Sequence, residues 1–523
     1  MLSQDNSTNG ASSLAKSLLL AVAVLWCVYW FVHAWHYWED DAYIHLEFAR
    51  SFAAGRGFAF NGHVVAGDTS PLWVMLLVAM HALIPDWLLA GKVLAVLGAI
   101  AGFSGTYGFA RRLAQSLSLP GAALFPAAMV LLVAVNPYTC YWLFSGMEAF
   151  AAAGLACFAV LAATRAAPST RRSLTGCLLT GIAPLVRPEM TFLAVLLALP
   201  LLAQWSRLPK SPAKPATFAA GAVLLCAPLV RWMLYSLHNF GHLLPNTNAA
   251  KRAAASDSVA LHLAQIYSFG FPLIFCGLVA GVAVLLLRTA SVRRSLSSAI
   301  ASAFQPLQQS SRNFPLAAWL FIAWALINTT FYIANHTYVQ TRYILVTAPG
   351  LTVVILAATF AASRRAGRIV YVLALLVAAA SSILIVRPFL RNKAYNCQTD
   401  RDLALFLRNQ LPPDAPVAVY SIGEIAFVSE HPIVDTGGIT RPGAIPYQNA
   451  PGQLLRWAQS EGAQYYIGQQ PQPDAVLIDS VDNKFIGWTL RSSAYDTTFP
   501  VQLWKLSPAA APSLPTLPAQ VHP

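Results

Sequence analysis

Eleven long apolar runs constrain the fold of this chain more than any other feature. Most approach the roughly 20 residues that a helix needs to cross a bilayer. Backbone groups inside a membrane must find hydrogen bonds within their own segment, so such runs predict helices. They lie at residues 18–32, 88–109, 120–135, 146–163, 174–187, 190–204, 216–236, 264–288, 314–334, 343–362 and 367–388. The sequence therefore predicts a polytopic α-helical membrane protein.

Composition excludes two other classes of protein. Of the 523 residues, 57% are hydrophobic and 11% are charged, and that charged share is about half the value typical of soluble domains. A soluble fold could not bury so much apolar surface. The net charge of +13 falls in short clusters between apolar runs, without the interleaved aromatics that bind single strands. We expect no nucleic-acid partner.

The basic clusters indicate how the chain is oriented in the membrane. Cytoplasmic loops carry an excess of Lys and Arg, so these clusters mark the cytoplasmic side and place the N-terminus there. They include Arg111/Arg112, Arg165/Arg171/Arg172, Arg207/Lys210/Lys214, Arg288/Arg293/Arg294/Arg312 and Arg364/Arg365/Arg368. The opposite loops, at 35–70, 136–147, 187–189, 238–251 and 335–342, then face outward. We expect a multi-pass protein of the cytoplasmic (inner) membrane with a periplasmic, extracytoplasmic C-terminal domain.

One apolar segment, 71–84, does not fit this alternation. If it crossed the membrane, every later loop would change side and all the basic clusters would lie outside. Its fourteen or so residues are also short for a crossing. We therefore expect a re-entrant or interfacial helix packed against the first outer loop.

The chain divides into three predicted parts. Residues 1–390 form the transmembrane module, with its first outer loop at 35–70. Residues 391–508 form a soluble α/β domain, because strand-like runs at 416–420, 464–467 and 475–478 alternate with helical periodicity at 400–410 and 452–460. Residues 509–523 are rich in Pro and Ala and are expected to be disordered.

The first outer loop carries the densest chemistry of the chain. Three acidic residues, Glu39, Asp40 and Asp41, follow the first apolar run directly. Ionisable groups at a membrane edge often line an aqueous cavity or meet a partner. The alternative is a solvated helix end, where charge close to water costs little.

Motifs recur in order along the outward loops. They are Asp40-Asp41-Ala42-Tyr43-Ile44, Phe48-Ala49-Arg50, Gly55-Arg56-Gly57-Phe58, Thr69-Ser70-Pro71-Leu72-Trp73, Ser145-Gly146-Met147-Glu148, Arg187-Pro188-Glu189, Leu244-Pro245-Asn246-Thr247 with Lys251, Arg342-Tyr343, and Ser421-Ile422-Gly423-Glu424 with Asp435. This series resembles the GT-C glycosyltransferases, particularly the bacterial and mycobacterial terminal arabinofuranosyltransferases. His45 and Glu47 depart from the pattern just after the acidic pair, which bears on the donor and acceptor more than on the reaction class.

The resemblance implies a reaction and a base. Such enzymes transfer a sugar from a polyprenyl-phosphate donor at the outer membrane face, inverting the anomeric centre in one displacement. A carboxylate must accept the proton of the attacking hydroxyl. Asp40 and Asp41 are the candidates, with Asp41 narrowly preferred, and we expect their like charges to raise one pKa of the pair.

Further site residues follow from the same resemblance. Arg187, Lys251 and Arg342 are the candidate cations for the donor phosphate, whose negative charge grows during transfer. Snorkelling toward the interface is the structural alternative for each of them. Sugar- or metal-binding roles fall to Glu148, Glu189, Asn246 and Tyr343, and contacts to the acceptor in the soluble domain fall to Glu424 and Asp435.

No cofactor follows with certainty from the sequence. A divalent cation (Mg, Ca or Mn) on Glu148 and Glu189 remains open beside sugar binding and orientation of the cations. The outward histidines His36, His45, His63 and His242 have no metal-ligand spacing. Neither a Rossmann nor a P-loop fingerprint occurs, which argues against a soluble nucleotide-sugar donor.

Several alternatives stay open. The expected partners are a polyprenyl-phosphate-linked sugar, membrane lipid, and a glycan or protein acceptor. The donor sugar is arabinofuranose or another lipid-linked sugar such as mannose or aminoarabinose. A transporter or flippase would also need many helices and buried charge, but such folds usually carry inverted repeats, and none is evident in this sequence.

Overall fold

A computed structural model gives the fold of the chain. It describes residues 4–119, 121–164, 169–208, 214–255, 258–277, 279, 315–468, 475–481 and 501–506. Two compact units are present. The first comprises Met1–Glu39, Thr69–Leu243 and Ala255–Arg391, and the second comprises Asp40–Asp68, Leu244–Ala254 and Asn392–Pro523.

The elements of the described residues follow one another in this order. The helices are α1 (Gln4–His33), α2 (Asp40–Ala53), α3 (Pro71–His81), α4 (Trp87–Ser116), α5 (Phe125–Ala134), α6 (Pro137–Trp142), α7 (Ala149–Ala163), α8 (Thr170–Val186), α9 (Met190–Arg207), α10 (Lys214–Phe240), α11 (Asn246–Ala253), α12 (Val259–Gly270), α13 (Leu316–Ala334), α14 (Thr341–Leu345), α15 (Ala348–Ala362), α16 (Arg364–Ser381), α17 (Arg387–Gln410), α18 (Ile422–Ser429) and α19 (Pro451–Ser460). A π-helical turn (Ser382–Val386) joins α16 to α17, and a 3-10 helix (Pro442–Tyr447) precedes α19. The strands are β1 (Ala59–Phe60), β2 (His63–Val64), β3 (Val417–Val419), β4 (Ile433–Asp435), β5 (Tyr465–Gly468), β6 (Ala475–Val481) and β7 (Val501–Leu506).

Long apolar helices make up most of the first unit. Within the described residues, six helical segments are long and apolar enough to cross a membrane: Ser12–His33, Trp87–Ser116, Met190–Arg207, Lys214–Phe240, Leu316–Ala334 and Arg364–Gln410. Four apolar helices are shorter, among them α3 with 11 residues. Eleven crossings and the re-entrant character of 71–84 stay predictions. The second half of the predicted crossing at 264–288 and the predicted tail 509–523 lie outside the described residues.

Helices α4 and α7 pack closely because small residues line their contact. A Cβ atom added to Gly154 of α7 would lie 2.5 Å from the carbonyl oxygen of Ala101, and one added to Gly102 of α4 would lie 2.4 Å from the Phe150 ring. Small residues let membrane helices approach to backbone contact. At the start of α4, the Asp86 side chain caps the helix by accepting the Leu89 N–H at 2.7 Å.

The second unit contains a five-stranded sheet of order β4-β3-β5-β7-β6. Strands β4, β3 and β5 are parallel, and β7 pairs antiparallel with both β5 and β6. Its core includes Ala418, Val434, Tyr447 and Trp457. Strands β3, β5 and β6 coincide with the three predicted runs, whereas β4 and β7 were not predicted. The predicted domain boundaries at 390/391 and 508/509 stay predictions.

Candidate functional site

Asp40 and Asp41 form the first turn of α2, where carboxylates are stabilised by the helix dipole. The Asp40 carboxylate also accepts the backbone N–H of Glu424 at 3.0 Å and is hydrogen-bonded to the N–H of Gly423. Both donors belong to the first turn of α18, whose N–H groups have no partner inside that helix. A Cβ at position 423 would lie 2.0 Å from the Asp40 carbonyl oxygen. The two helix N-termini therefore meet at Asp40, and glycine is required there.

Next to Asp40, three side chains form a hydrogen-bonded cluster. The Tyr43 hydroxyl donates to Glu424 Oε1 at 2.8 Å. Arg401 donates to the Tyr43 oxygen at 2.6 Å through Nη2 and to Glu424 Oε1 at 3.3 Å through Nε. Glu424 is buried. Sequence reasoning missed Arg401 as a site residue, since its only local signal is helical periodicity.

Burial changes the acidity of this cluster. It raises the pKa of Asp40 to about 7, while the Glu424 N–H lowers that pKa and the Asp41 charge raises it to a lesser extent. Burial also raises the pKa of Glu424 to about 8. The expected like-charge effect within the acidic pair is thus present, but desolvation is the larger cause.

Asp41 is half-buried in the same unit. Burial raises the pKa of the Tyr420 hydroxyl, and the charges of Asp435 and Asp41 raise it further. The Asp41 charge thus acts on Tyr420 at the end of β3. Asp41 directly follows Asp40, whose carboxylate holds α18.

Asp435, the predicted acceptor residue at the end of β4, is fully buried. Its Oδ1 accepts the N–H of Gly437 at 2.7 Å and of Gly438 at 3.1 Å. Its Oδ2 accepts the Thr440 N–H at 2.6 Å and the Thr440 hydroxyl at 3.0 Å. Both oxygens therefore hold the loop that follows β4.

The second unit also contains two residues expected near the donor. Asn246 begins α11, and its backbone N–H donates to the Ala66 carbonyl at 2.9 Å. Lys251 lies in the last turn of α11 and is half-buried. The segment with the Leu-Pro-Asn-Thr motif is thus fixed to the chain that follows the β1–β2 hairpin.

A buried charge cluster lies in the first unit. Arg187, which ends α8, donates from Nη1 to Glu148 and from Nε to Glu189, both at 2.6 Å. All three side chains are buried. The Trp324 indole donates to the Glu189 carbonyl at 3.0 Å. The predicted cation and the two predicted glutamates are thus brought together, as expected for groups whose charges must be compensated away from water.

Arg342 and Tyr343 adjoin this cluster. The Arg187 guanidinium lies 5.0 Å from the centre of the Tyr343 ring, and that of Arg342 lies 5.5 Å from the same ring. Arg342 also lies 5.3 Å from the Trp142 ring. Aromatic faces stabilise guanidinium groups by their negative electrostatic potential. Two of the three predicted phosphate-binding cations therefore share one aromatic ring.

A buried lysine that sequence reasoning missed organises the end of α1. Lys92 donates to the carbonyls of Ala34, Tyr37 and Phe144 at 3.2, 2.7 and 2.7 Å. Its ammonium lies 4.5 Å from the Trp38 ring centre. The lysine thereby joins the chain just before Glu39 to the turn before Glu148.

Metal binding finds no support in clustered ligands. Within the described ranges, no group of three or more His, Cys, Asp and Glu side chains is placed to hold a metal ion. Glu148 and Glu189 do lie together, but each accepts a hydrogen bond from Arg187. The divalent cation stays an untested prediction.

Comparison with known proteins supports the fold. A family model described as a domain of unknown function (DUF8728) matches residues 388–511, and no curated protein matches. The crystal structure of ArnT from Cupriavidus metallidurans bound to undecaprenyl phosphate superimposes with a TM-score of 0.54 at 14% identity, covering 95% of this chain and 99% of that one. Its apo state gives a TM-score of 0.53 at 14% identity, over 94% and 98% of the two chains.

A lower similarity is found to one further solved structure. The Archaeoglobus fulgidus oligosaccharyltransferase gives a TM-score of 0.49 at 11% identity, covering 88% of this chain and 69% of that one.

The chain thus shares its fold with ArnT, a GT-C glycosyltransferase, and is a multi-pass membrane protein. The fold expected from the ordered motifs is confirmed by the likeness to ArnT over nearly the full length of both chains.

Proposed function

We propose that this protein is an inverting glycosyltransferase that moves one sugar from a polyprenyl-phosphate donor to an acceptor hydroxyl. The observation that carries the proposal is the acidic first turn of α2, held by α18 at Asp40, in a chain with the ArnT fold. ArnT has been crystallised with undecaprenyl phosphate, which supports a polyprenyl phosphate as the lipid partner here.

The two aspartates have different proposed roles. The Asp40 carboxylate is engaged by the backbone of α18, which suits a positioning residue. Asp41, the next residue, is then the base. It accepts the proton of the acceptor hydroxyl while that oxygen bonds to the anomeric carbon, and the bond from this carbon to the phosphate oxygen breaks. The phosphate leaves with the bonding electron pair.

The growing charge on the phosphate requires fixed cations. Arg187, Arg342 and Lys251 are the proposed donors to its oxygens. Guanidinium groups held by carboxylates and aromatic rings are already oriented, so little reorganisation is needed when charge develops. Glu148 and Glu189 keep Arg187 in place, and Asn246 and Tyr343 are proposed contacts to the sugar.

The finer assignments are also proposals. Arabinofuranose is the first donor sugar to test, followed by mannose and aminoarabinose. The acceptor is a glycan or a protein. We place the reaction at the outer face of the cytoplasmic membrane, with the C-terminal domain on the extracytoplasmic side.

The test is transfer from radiolabelled polyprenyl-phosphate arabinofuranose in membranes that contain the intact protein, Asp41→Asn or Asp40→Asn. We expect Asp41→Asn to abolish transfer without lowering the unfolding temperature, and Asp40→Asn to lower both. Asp402→Asn, which alters an exposed carboxylate of the same unit, is the matched control. Full activity of Asp41→Asn would exclude it as the base. Inactivity of the intact protein would exclude arabinose, and polyprenyl-phosphate mannose would be tested next.

A further inference from the structure

A polar cleft in the second unit lies outside the residues assigned so far. Its volume is about 300 Å³, at the lower end of the range of small-molecule sites. Asn61 and His63 of the β1–β2 hairpin line one side, and Arg441, Trp457 and Glu461 line the other.

Both walls of the cleft are fixed to β4. On the hairpin side, the Asn61 side chain accepts the Ile433 N–H at 2.7 Å and donates to the His431 carbonyl at 2.8 Å. On the other side, the Asp435 carboxylate holds Thr440, the residue before Arg441. A cleft whose walls are already held by partly buried hydrogen bonds loses little conformational freedom when a ligand binds.

Hydrogen bonds within the cleft define the groups offered to a ligand. Arg441 donates to Glu461 Oε2 at 3.1 Å through Nη1 and to His63 Nε2 at 3.2 Å through Nη2. A guanidinium can only donate, so Nε2 is the acceptor and the proton of neutral His63 lies on Nδ1. The cleft thus offers imidazole and guanidinium N–H donors beside one carboxylate acceptor.

The charges select the class of ligand. Arg441 and Glu461 compensate each other, so an anion such as a phosphate would meet the carboxylate and a cation would meet the guanidinium. A ligand with many hydroxyl groups suits the mixture, because each hydroxyl both donates and accepts. Trp457, a largely buried core residue, lines the cleft with apolar surface, and an apolar patch beside polar groups suits the mixed surface of a sugar ring.

We propose that this cleft binds a neutral saccharide unit of the acceptor. This inference rests on the proposed transferase function and replaces the expected acceptor contacts at Glu424 and Asp435. Glu424 is buried in the cluster with Tyr43 and Arg401, and both oxygens of Asp435 hold backbone. The acceptor is instead bound by the exposed ends of His63, Arg441 and Glu461, and Asp435 acts as a positioning residue for the loop that carries Arg441.

The experiment is equilibrium binding of a fluorescent neutral arabinofuranosyl hexasaccharide to the full-length protein in lipid nanodiscs. Loss of one hydrogen bond to a charged side chain reduces affinity by about tenfold, so Glu461→Gln and Arg441→Gln should each weaken binding by about that factor or more. His63→Ala should weaken it as well. Arg408→Gln, which alters an exposed Arg–Glu pair of the same unit, should bind like the intact protein.

A second measurement separates this inference from the proposed function. Hydrolysis of the radiolabelled donor without acceptor reports the transferase centre alone, and it should be unchanged in all four variants. Equal binding by every variant would overturn the saccharide cleft, as would tighter binding of a hexauronate of the same length. The saccharide cleft would also be overturned if the intact protein failed to bind the neutral probe while it still hydrolysed the donor. Absence of donor hydrolysis by the intact protein would instead contradict the proposed transferase function.

Discussion

Asp40 and Glu424 are joined by a hydrogen bond from the Glu424 N–H to the Asp40 carboxylate at 3.0 Å, although 384 positions separate them in the sequence. The bond fixes the start of α2 against the start of α18. Because Asp41 follows directly, its backbone position is set by the same contact. The geometry of the proposed base thus depends on a glycine-containing turn in the C-terminal part of the chain.

Gly423→Ala tests this dependence. The new Cβ would lie 2.0 Å from the Asp40 carbonyl oxygen, so one of the two helix ends must move. Overpacking of this kind costs about 1–3 kcal/mol. We expect a lower unfolding temperature and a large loss of transfer, measured by thermal unfolding and by the radiolabelled donor assay. Gly452→Ala, at a position with no atom within 4 Å of the added carbon, is the control, and equal behaviour of the two variants would contradict the close contact.

The raised pKa values of Glu424 and Asp40 predict how stability depends on pH. Glu424 ionises near 4.5 when unperturbed, whereas burial raises its folded-state pKa to about 8, and the pKa of Asp40 rises to about 7. Between about pH 4.5 and pH 8 the folded chain holds protons that the unfolded chain releases. The free energy of unfolding is therefore highest below about pH 4.5 and falls as the pH rises through 7 and 8.

The measurement is the unfolding temperature of the protein in nanodiscs at pH 5, 6, 7 and 8. We expect a decline toward pH 8 that Glu424→Gln flattens, because the amide keeps an acceptor for Tyr43 and Arg401 but cannot ionise. Glu461→Gln, which removes an exposed carboxylate, should leave the slope in place. A slope that survives Glu424→Gln and Asp40→Asn together would show that these carboxyls are not its source.

Arg187 gives a third prediction. Removing one partner of a buried ion pair leaves the other charges uncompensated, at a cost of about 3–5 kcal/mol. Arg187→Ala should therefore unfold at a clearly lower temperature, since Glu148 and Glu189 both bond to it at 2.6 Å. Arg187→Lys should recover part of the stability but little of the transfer, because an ammonium cannot reproduce the fork of two oriented donors. Full transfer by the lysine variant would argue against a geometric role for the guanidinium.

The sequence was informative wherever chemistry is local. The apolar run at 88–109 predicted α4, and the Arg187-Pro188-Glu189 motif predicted charges that do meet. The sequence does not predict the contacts of Tyr43 with Arg401 and Glu424, because these residues lie 358 and 381 positions away from Tyr43. Such contacts arise from tertiary packing and leave no periodic pattern in either segment.

The strands show the same limit. β3 and β5 lie in runs of β-branched and aromatic residues between turns, which is why they were predicted. β4 contains only two β-branched residues, Ile433 and Val434, before Asp435, and its place is set by parallel pairing with β3. Four of the six residues of β7, Val501, Leu503, Trp504 and Leu506, are apolar, a strand-like composition that could have been recognised.

Lys92 is the residue whose importance the sequence concealed most, since one lysine inside an apolar run looks like an interfacial side chain. Its three carbonyl partners make Lys92→Met a sharp test, because the variant keeps the apolar stem and removes the donors. Hydrogen bonds to charged groups contribute about 1.5–3 kcal/mol each, so we expect the free energy of unfolding to fall by at least about 2 kcal/mol. Thermal unfolding in nanodiscs is the measurement. Lys16→Met is the control, because the Lys16 ammonium contacts the face of the Tyr107 ring.

We also expect Lys92→Met to slow transfer at unchanged donor KM, because the chain that leads from α1 into the acidic turn loses its tie to the segment before Glu148. Equal stability of the two lysine variants would mean that other contacts hold the end of α1.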